Sequence, residues 1–453
     1  MLTRTESAPP PAASLPAPTI GERLDALPFC RLRLAIFAVL TLALFADIAE
    51  VALGNALGAV FQAPPRTMTP TELSVFLAAI FAGGAIGAPI FGLYGDRIGR
   101  RRALQAALAA VAVGSFAAAA SHNSTSLIGF RFLSGLGIGA CPPLIAAYLA
   151  DIMPPRLRGT MACLCAGLGF LGAPALILLL RAASPVFVGI EGWRWAVGTG
   201  AFLAAVAAGL LSLLPESPRW LAATGRLAEA EAALSRFGRT GSRQTEAPAP
   251  VAAVTHAAAA SERNAAGRRF ILLCGLYALS PWATIGFPLM SGAVMVSKHF
   301  SVNDSVVAAG LIMFGPVIGN LLVAPLIDRI SRKASLIICA CSMALLGLLF
   351  AEATEFVTLV GLGIVFALLS AVYSSILAIY AAEIMPTEVR ASRTAMAWGI
   401  GRLVSIVVPL VCFAIIRGSG VWGMFALIAT VLSFSAILLA VVGPRGRSRQ
   451  AVI

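Results

Sequence analysis

Long apolar runs separated by short polar loops extend along most of the chain. A helix needs about 20 apolar residues to cross the hydrocarbon core of a bilayer, and twelve runs reach or approach that length. We call them spans 1 to 12, and they occupy residues 32–61, 72–94, 103–120, 125–149, 159–180, 193–214, 270–296, 302–327, 334–351, 356–382, 392–416 and 421–442. The pattern predicts an all-α membrane protein with twelve transmembrane helices.

Composition and charge indicate the same class of protein. The chain has 453 residues, of which 59% are hydrophobic and 12% are charged, whereas soluble domains carry about 25% charged residues. The net charge of +13 comes from arginines and lysines in short loops and tails, which is typical of cytoplasmic loops. This distribution predicts an integral membrane protein that is surrounded by lipid, has both termini in the cytoplasm and binds no nucleic acid. We expect it in a bacterial inner membrane.

The spans fall into two groups of six on either side of a long polar loop. Within this loop, residues 221–237 have the pattern of a short amphipathic helix on the membrane surface, and residues 238–267 that of a flexible linker. The first 30 residues are rich in proline and alanine, which predicts disorder. The predicted organisation is a disordered cytoplasmic tail at 1–30, a first six-helix bundle at 31–214, a cytoplasmic loop at 215–268, a second bundle at 269–443 and a cytoplasmic tail at 444–453.

A motif of glycines, one acid and several arginines lies between spans 2 and 3. It runs from Gly92 to Arg102, and Asp96 is the single acid. Glycine permits close backbone approach, and an acid here can pair with an arginine or face a helix N-terminus. A second copy of the motif begins at Asp328, and the same separation in sequence relates Asp151 to Glu383 and Arg158 to Arg390. A constant separation across several motifs predicts two homologous halves.

This loop resembles the one between the second and third helices of the major facilitator superfamily. The resemblance implies two pseudo-symmetric six-helix bundles that transport a small molecule by alternating access. It further implies that Asp151 with Arg158 and Glu383 with Arg390 close the cytoplasmic ends of spans 4 and 10, where the acids join the arginines of the two loop motifs in a network that holds the inside closed. The alternative is that they only cap loops. The candidate gating residues are Gly92, Asp96, Arg97, Gly99, Arg100, Asp151, Arg158, Asp328, Arg329, Arg332, Glu383 and Arg390.

Three charged residues lie inside apolar spans of the first half. Asp47 and Glu50 belong to span 1 and Arg131 to span 4, and the positions of Asp47 and Arg131 place them at comparable depth. Embedded charges are costly and usually face a partner or a cavity. A carboxylate stays ionised beside an arginine and takes up a proton when it is isolated in a low dielectric. The three residues are therefore candidates for proton coupling, and the alternative is a static salt bridge between spans 1 and 4.

Two further segments carry the resemblance. The stretch from Arg131 to Gly139 is similar to the R-x-x-x-G-x-G-x-G motif of helix 4, where sugar porters and aromatic-acid symporters use the arginine with an acid of helix 1. The spacing of Asp47 and Glu50 resembles the aromatic-acid group, although Gly54 comes one residue earlier than in that group. Residues 215–219 read P-E-S-P-R and resemble a segment shared by sugar porters, organic-ion transporters and aromatic-acid symporters.

The second half has a buried charge of its own, Arg402 in span 11. It follows Arg390 at the membrane edge by twelve residues, which at ~1.5 Å per residue is roughly 18 Å of depth. That is near the bilayer midplane, where such transporters bind substrate, and a guanidinium group suits a carboxylate. Trp282, Tyr373 and Trp398 are expected at similar depth and complete the candidate substrate-binding residues, with core packing as their alternative role.

Together these features predict a proton symporter for a small organic or aromatic acid anion, functional as a monomer, without enzymatic activity, cofactor or metal. A sugar, polyol or organic-cation transporter and a drug:proton antiporter remain alternatives. Paired glutamines typical of sugar porters are absent from span 7, and the antiporter motif of helix 5 is only weakly matched by residues 169–174. A membrane sensor that does not transport is disfavoured, because Asp96, Asp328 and Arg131 are all present.

Overall fold

A computed structural model describes residues 18–61, 68–183, 186–238, 256–287, 294–295, 297–298, 300, 308 and 311–444. These residues contain eleven helices that are long and apolar enough to cross a membrane, and one shorter apolar helix at Gly315–Ile327. The shorter helix is the cytoplasmic part of span 8, whose first residues lie outside the described part of the chain.

The first bundle follows a short helix, α1 (Ile20–Ala26). Its helices and its small two-stranded sheet are α2 (Arg31–Val60), α3 (Pro70–Ile98), α4 (Arg100–Ala119), α5 (Ser124–Ile152), α6 (Arg158–Phe170), α7 (Gly172–Ala183), β1 (Val186–Phe187), β2 (Ile190–Glu191) and α8 (Gly192–Leu211). Span 5 is thus divided into α6 and α7 at Leu171. Pro174 explains the break, because it has no N–H to donate to the carbonyl of Phe170.

The second bundle follows two cytoplasmic helices, α9 (Pro218–Ala223) and α10 (Leu227–Gly238). Its described helices are α11 (His256–Leu279), α12 (Gly315–Ile327), α13 (Arg332–Glu352), α14 (Phe356–Ile384) and α15 (Arg390–Val442), with a π-helical turn at Trp282–Gly286 and a 3₁₀ turn at Thr387–Val389. Spans 11 and 12 are both part of α15, which bends at Gly420, where φ is 71°.

The cytoplasmic segments are more ordered than the sequence predicted. The disordered tail predicted over residues 1–30 is wrong for Ile20–Ala26, which form a helix with a capping box between Thr19 and Glu22. The single amphipathic helix predicted over 221–237 is two helices, α9 and α10, separated at Gly225 with φ 78°. Of the predicted linker at 238–267, residues 256–267 belong to α11, and residues 239–255 lie outside the described residues.

Glycines set the close packing within and between the bundles. A Cβ atom on Gly137 of α5 would lie 2.1 Å from the carbonyl oxygen of Ala107 in α4, so only glycine allows these helices to approach. Between the bundles, α3 packs along α15, since a Cβ atom on Gly92 would lie 2.5 Å from that of Ala395. Likewise α6 packs along α12, where Gly167 faces Asn320. The two bundles therefore touch where α3 packs along α15 and where α6 packs along α12.

Candidate functional site

The buried arginine of the first bundle pairs with Glu50. Arg131 Nη1 lies 2.8 Å from Glu50 Oε2, and Arg131 Nη2 donates to the backbone oxygen of Glu50 at 3.1 Å. Both side chains are buried, and the guanidinium group lies over the ring of Phe76. Gly54 makes room for it, because a Cβ atom there would lie 2.6 Å from Arg131 Nη2. The sequence had suggested Asp47 as the first partner, but Glu50 and not Asp47 forms the ion pair with Arg131.

Asp47 lies on a different face of α2, towards the second bundle. Its side chain is 2% exposed, and among the residues that the structure describes its Oδ1 atom has no hydrogen-bond partner. The Cys141 thiol of α5 and the guanidinium group of Arg402 in α15 interact with its carboxyl group. No ion pair within 4.0 Å joins Asp47 to Arg402, so the two side chains interact at a longer distance than an ion pair.

Arg402 is surrounded by aromatic rings at the boundary between the bundles. Its guanidinium carbon lies 4.7 Å from the ring centroid of Trp398 and 5.9 Å from that of Phe81, which belongs to α3 of the first bundle. Trp398 packs edge-to-face on Tyr277 of α11, with centroids 5.5 Å apart. Within the described chain, Arg402 Nε and Trp398 Nε1 are buried without a hydrogen-bond partner. We call the group formed by Asp47, Phe81, Tyr277, Trp398 and Arg402 the central site.

The other two predicted substrate residues pack within the second bundle. Tyr373 is fully buried inside the second bundle, where its hydroxyl lies 3.0 Å from Ser435 Oγ. Trp282 begins the π-helical turn and packs against the core of the second bundle. Sequence reasoning missed Phe81 and Tyr277. Tyr277 carried a weak signal, since it precedes Trp282 in the same span, whereas nothing in the sequence connects Phe81 of span 2 with span 11.

Asp96 connects the two bundles at the end where the loop motifs lie. Its carboxylate pairs with Arg100 at 2.6 Å and accepts hydrogen bonds from the backbone N–H groups of Ala391 at 3.1 Å and Ser392 at 2.8 Å. These N–H groups open α15, and a helix N-terminus attracts negative charge. Asp96 of the first bundle thus caps a helix of the second.

Asp328 makes the equivalent contact in the opposite direction. It pairs with Arg332 at 2.7 Å and accepts from the backbone N–H groups of Gly159 at 2.9 Å and Thr160 at 2.7 Å at the start of α6. The second-bundle acid therefore caps a first-bundle helix, as the internal repeat predicts. Arg97 and Arg329, one residue after each acid, are exposed to the surroundings.

The acids at the ends of α5 and α14 also reach across the boundary. Arg390 donates to Asp151, and Arg100 Nε lies 3.5 Å from the same carboxylate. Asp151 therefore lies between Arg100 of the loop motif in its own bundle and Arg390, which begins a helix of the second bundle. Arg158 is buried, interacts electrostatically with Glu383 and has no hydrogen-bond partner in the described part of the chain. Glu383 instead lies 3.2 Å from Arg332.

The P-E-S-P-R segment lies directly beneath this network. Ser217 Oγ donates to Asp151 Oδ2 at 3.1 Å, Arg219 Nε donates to the backbone oxygen of Asp151 at 3.0 Å, and Trp220 Nε1 donates to the backbone oxygen of Asp96 at 2.9 Å. Glu216 accepts from the N–H of Arg101 at 3.0 Å, and burial raises the pKa of its carboxyl group.

Two glycines of the loop motif make these contacts possible. Gly99 has φ 112° and leaves space for Glu216, whose Oε2 would lie 2.2 Å from a Cβ atom at that position. Gly92 allows α3 to reach α15. A side chain at either position would therefore separate elements that the cytoplasmic contacts hold together.

The N-terminal helix is fastened to this segment by ion pairs. Asp25 of α1 lies 2.5 Å from Arg219 Nη2, and Arg23 lies 2.5 Å from Glu231 of α10. Arg33 at the start of α2 donates to three carbonyl groups of residues 24–28. A continuous series of contacts therefore leads from α1 through Arg219 to Asp151, the residue that binds Arg390.

Comparison with known proteins identifies the class of molecule. The Sugar (and other) transporter family matches residues 46–448. YdjK of Escherichia coli (strain K12) is 29% identical over 448 residues, covering 94% of this chain and 95% of YdjK. The arabinose-proton symporter of Bacillus subtilis (strain 168) is 26% identical over 365 residues, covering 76% of this chain and 79% of that symporter.

A solved structure confirms the predicted fold. The proton:xylose symporter XylE, bound to 6-bromo-6-deoxy-D-glucose, superposes with a TM-score of 0.76 at 17% identity and covers 93% of this chain and 98% of its own. The predicted all-α architecture of two six-helix bundles is therefore correct. The chain belongs to the Sugar (and other) transporter family and has the twelve-helix fold of the major facilitator superfamily, which makes it a membrane transporter and not an enzyme.

Proposed function

We propose that this transporter is a proton-coupled symporter that carries a small organic anion, such as an aliphatic or aromatic carboxylate, across a bacterial inner membrane. It works as a monomer by alternating access, with both termini in the cytoplasm. The observation that carries the proposal is the state of Arg402, a positive charge at the boundary of the bundles that forms no ion pair within 4.0 Å among the described residues.

An embedded charge without a fixed partner is costly unless it faces a cavity or a ligand. Arg402 is only half-buried, although it lies about twelve residues inside the membrane edge. A guanidinium group offers a planar pair of donors that matches a carboxylate. An anion at Arg402 would therefore replace the missing counter-charge.

The surrounding rings favour an organic anion over an inorganic one. Phe81, Tyr277 and Trp398 supply apolar surface next to the charge, and binding sites for organic molecules combine apolar walls with a few polar groups. The Nε1 donor of Trp398 has no partner in the described chain and is available for a second oxygen of the substrate.

The cytoplasmic contacts support a gating role for the loop residues. Asp96, Asp328 and Asp151 each bind a group of the opposite bundle, so these contacts exist only while the inside is closed. Breaking them would let the bundles separate on the cytoplasmic side, which is what release to the cytoplasm requires.

A sugar is the second candidate substrate. It is favoured by the family match and by the arabinose-proton symporter among the relatives. A neutral sugar is recognised through many hydrogen bonds, but it would leave Arg402 without a counter-charge. The two candidates therefore differ in whether transport depends on a negative charge of the substrate.

Matched pairs of substrates separate these candidates in proteoliposomes. Gluconate and benzoate each carry one carboxylate group, whereas their partners glucose and benzyl alcohol are uncharged. With an inward proton gradient, we expect accumulation of at least one carboxylate and of neither neutral partner. Accumulation of glucose without gluconate would favour the sugar function and contradict the anion proposal.

Variants of Arg402 test the role of the charge. Arg402→Gln should abolish carboxylate uptake, and Arg402→Lys should restore only a small part of it, because the planar pair of donors is lost. Arg393→Gln is the matched control, since Arg393 lies on the same helix but contacts Phe270 away from the central site. Normal uptake by Arg402→Gln would show that the substrate binds elsewhere.

A further inference from the structure

We infer that Asp47 is the counter-charge of Arg402 in the empty transporter and takes up a proton when the substrate carboxylate binds Arg402. This inference rests on the proposed function. It assigns proton and substrate to one shared site across the bundle boundary, and it separates the role of Asp47 from that of Glu50.

The two acids of α2 are in different states in the structure. Glu50 forms an ion pair with Arg131 at 2.8 Å within the same bundle, although its Oε1 atom has no hydrogen-bond partner among the described residues. Asp47 has no ion pair within 4.0 Å among the described residues, and its Oδ1 is unpartnered. Its interacting cation, Arg402, belongs to the other bundle.

The charges around Asp47 explain why a substrate anion would change its protonation. The titratable groups that face it are Arg402 from α15, Cys141 from α5 and Glu50 from its own helix. Arg402 is the only cation in this set. A carboxylate bound to Arg402 would cancel that positive charge and place a second negative charge near Asp47.

Two carboxylates that share a site cannot both remain charged at low cost. A proton from water on Asp47 removes the repulsion, so the complex of Arg402, substrate anion and protonated Asp47 carries one positive and one negative charge. Substrate and proton then stabilise each other by the same coupling free energy. No covalent bond changes, and the proton leaves when the substrate does.

A double-mutant cycle tests the contact between Asp47 and Arg402 without any substrate. The melting temperature of the purified protein in detergent is measured for wild type, Asp47→Asn, Arg402→Gln and the double variant at pH 8. Arg402→Gln should lower the melting temperature, because Asp47 is left without its counter-charge. Adding Asp47→Asn to this variant should recover part of the loss. The same cycle with Arg393→Gln should be additive. Additive effects for Asp47 and Arg402 would overturn the inference.

Binding of [¹⁴C]gluconate and [¹⁴C]benzoate between pH 5.5 and 8.5 tests the shared proton. For a carboxylate that binds, we expect the wild-type affinity to fall about tenfold per pH unit above the titration of Asp47, as linkage of one proton requires. Asp47→Asn should keep the low-pH affinity at every pH. Glu50→Gln should retain the pH dependence, and Glu355→Gln, which changes an exposed acid, is the control.

The outcomes distinguish the inference from the function on which it rests. If neither carboxylate binds the wild-type protein at any pH while glucose does, the anion function fails and the inference with it. If a carboxylate binds and Asp47→Asn keeps the wild-type pH dependence, the inference alone fails. If the pH dependence disappears in Glu50→Gln but persists in Asp47→Asn, the proton belongs to the Glu50–Arg131 pair instead.

Discussion

Arg390 at the start of α15 donates a hydrogen bond to the Asp151 carboxylate at the end of α5, so a buried ion pair joins the two bundles. Both side chains are fully buried. Removing one partner of a buried pair leaves an uncompensated charge and costs about 3–5 kcal/mol. Because the pair exists only when the bundles are together, this cost falls on the inward-closed state.

Asp151→Asn should therefore increase opening towards the cytoplasm. Cys163 of α6 is a natural reporter, because its thiol is buried among residues of the second bundle. A loss of about 1.4 kcal/mol from the closed state already raises the ratio of open to closed molecules about tenfold. We expect faster modification of Cys163 by N-ethylmaleimide, measured by mass spectrometry on inside-out membrane vesicles.

Two variants control this measurement. Cys163→Ala gives the background from the other cysteines, and Glu388→Gln removes an exposed acid near the same surface. Unchanged labelling of Cys163 in Asp151→Asn would show that the ion pair with Arg390 does not hold the inside closed.

Asp96 and Asp328 should behave alike, because each caps the first turn of a helix in the opposite bundle. Asparagine keeps an acceptor oxygen but loses the charge that favours a helix N-terminus, a contribution of about 0.3–2 kcal/mol. We expect Asp96→Asn and Asp328→Asn to reduce transport severalfold at equal membrane abundance. A large loss in one variant with normal transport in the other would contradict the symmetric role.

The sequence predicted the architecture well because its signals are local or periodic. Apolar runs mark the spans, and the constant separation of Asp96 from Asp328 marks the two halves. The same local information identified Arg131 as an embedded charge that needs a partner. It also singled out Arg402 as an embedded charge of the second half.

The pairings could not be predicted because they depend on helix rotation and on which helices cross the bundle boundary. Glu50 and Asp47 are one turn apart, and a modest rotation of α2 decides which one reaches Arg131. Asp151 binds Arg390 rather than the nearer Arg158 because the start of α15 packs against the end of α5. The order of α1 depends on contacts with distant residues, which composition does not reveal.

Asp25→Asn should weaken the series of contacts that leads from α1 through Arg219 to Asp151. It removes the partner of Arg219, which is buried and also binds the backbone of Asp151. Leaving a mostly buried arginine without its acid costs about 1–3 kcal/mol. We expect a lower melting temperature in detergent and faster labelling of Cys163.

The matched control for α1 is Arg23→Gln, which breaks the more exposed pair with Glu231. Exposed pairs contribute about 0–1 kcal/mol, so this variant should stay close to wild type. Equal effects of Asp25→Asn and Arg23→Gln would contradict a specific role of the ion pair between Asp25 and Arg219. Stability would then depend on the docking of α1 through either pair.

Arg131→Ala should damage the protein more than either change of an acid on α2. Glu50 would remain buried without its partner, at a cost of about 3–5 kcal/mol, whereas Glu50→Gln keeps an acceptor next to Arg131. We expect low membrane abundance and a low melting temperature for Arg131→Ala. Normal stability of this variant would mean that Glu50 is already uncharged in the folded protein.

Asp47→Asn should uncouple transport from the proton gradient without stopping it. Asparagine resembles the protonated acid, so the variant remains in the form that accepts an anion at Arg402 and no longer needs a proton to cross. Vesicles loaded with the transported carboxylate should still exchange it for labelled external substrate, but an inward proton gradient should no longer drive accumulation. Glu50→Gln, in contrast, should retain proton-driven accumulation at reduced rate. If Asp47→Asn accumulates substrate at the wild-type level, Asp47 does not take part in coupling. If both Asp47→Asn and Glu50→Gln accumulate substrate at the wild-type level, α2 is excluded as the coupling helix.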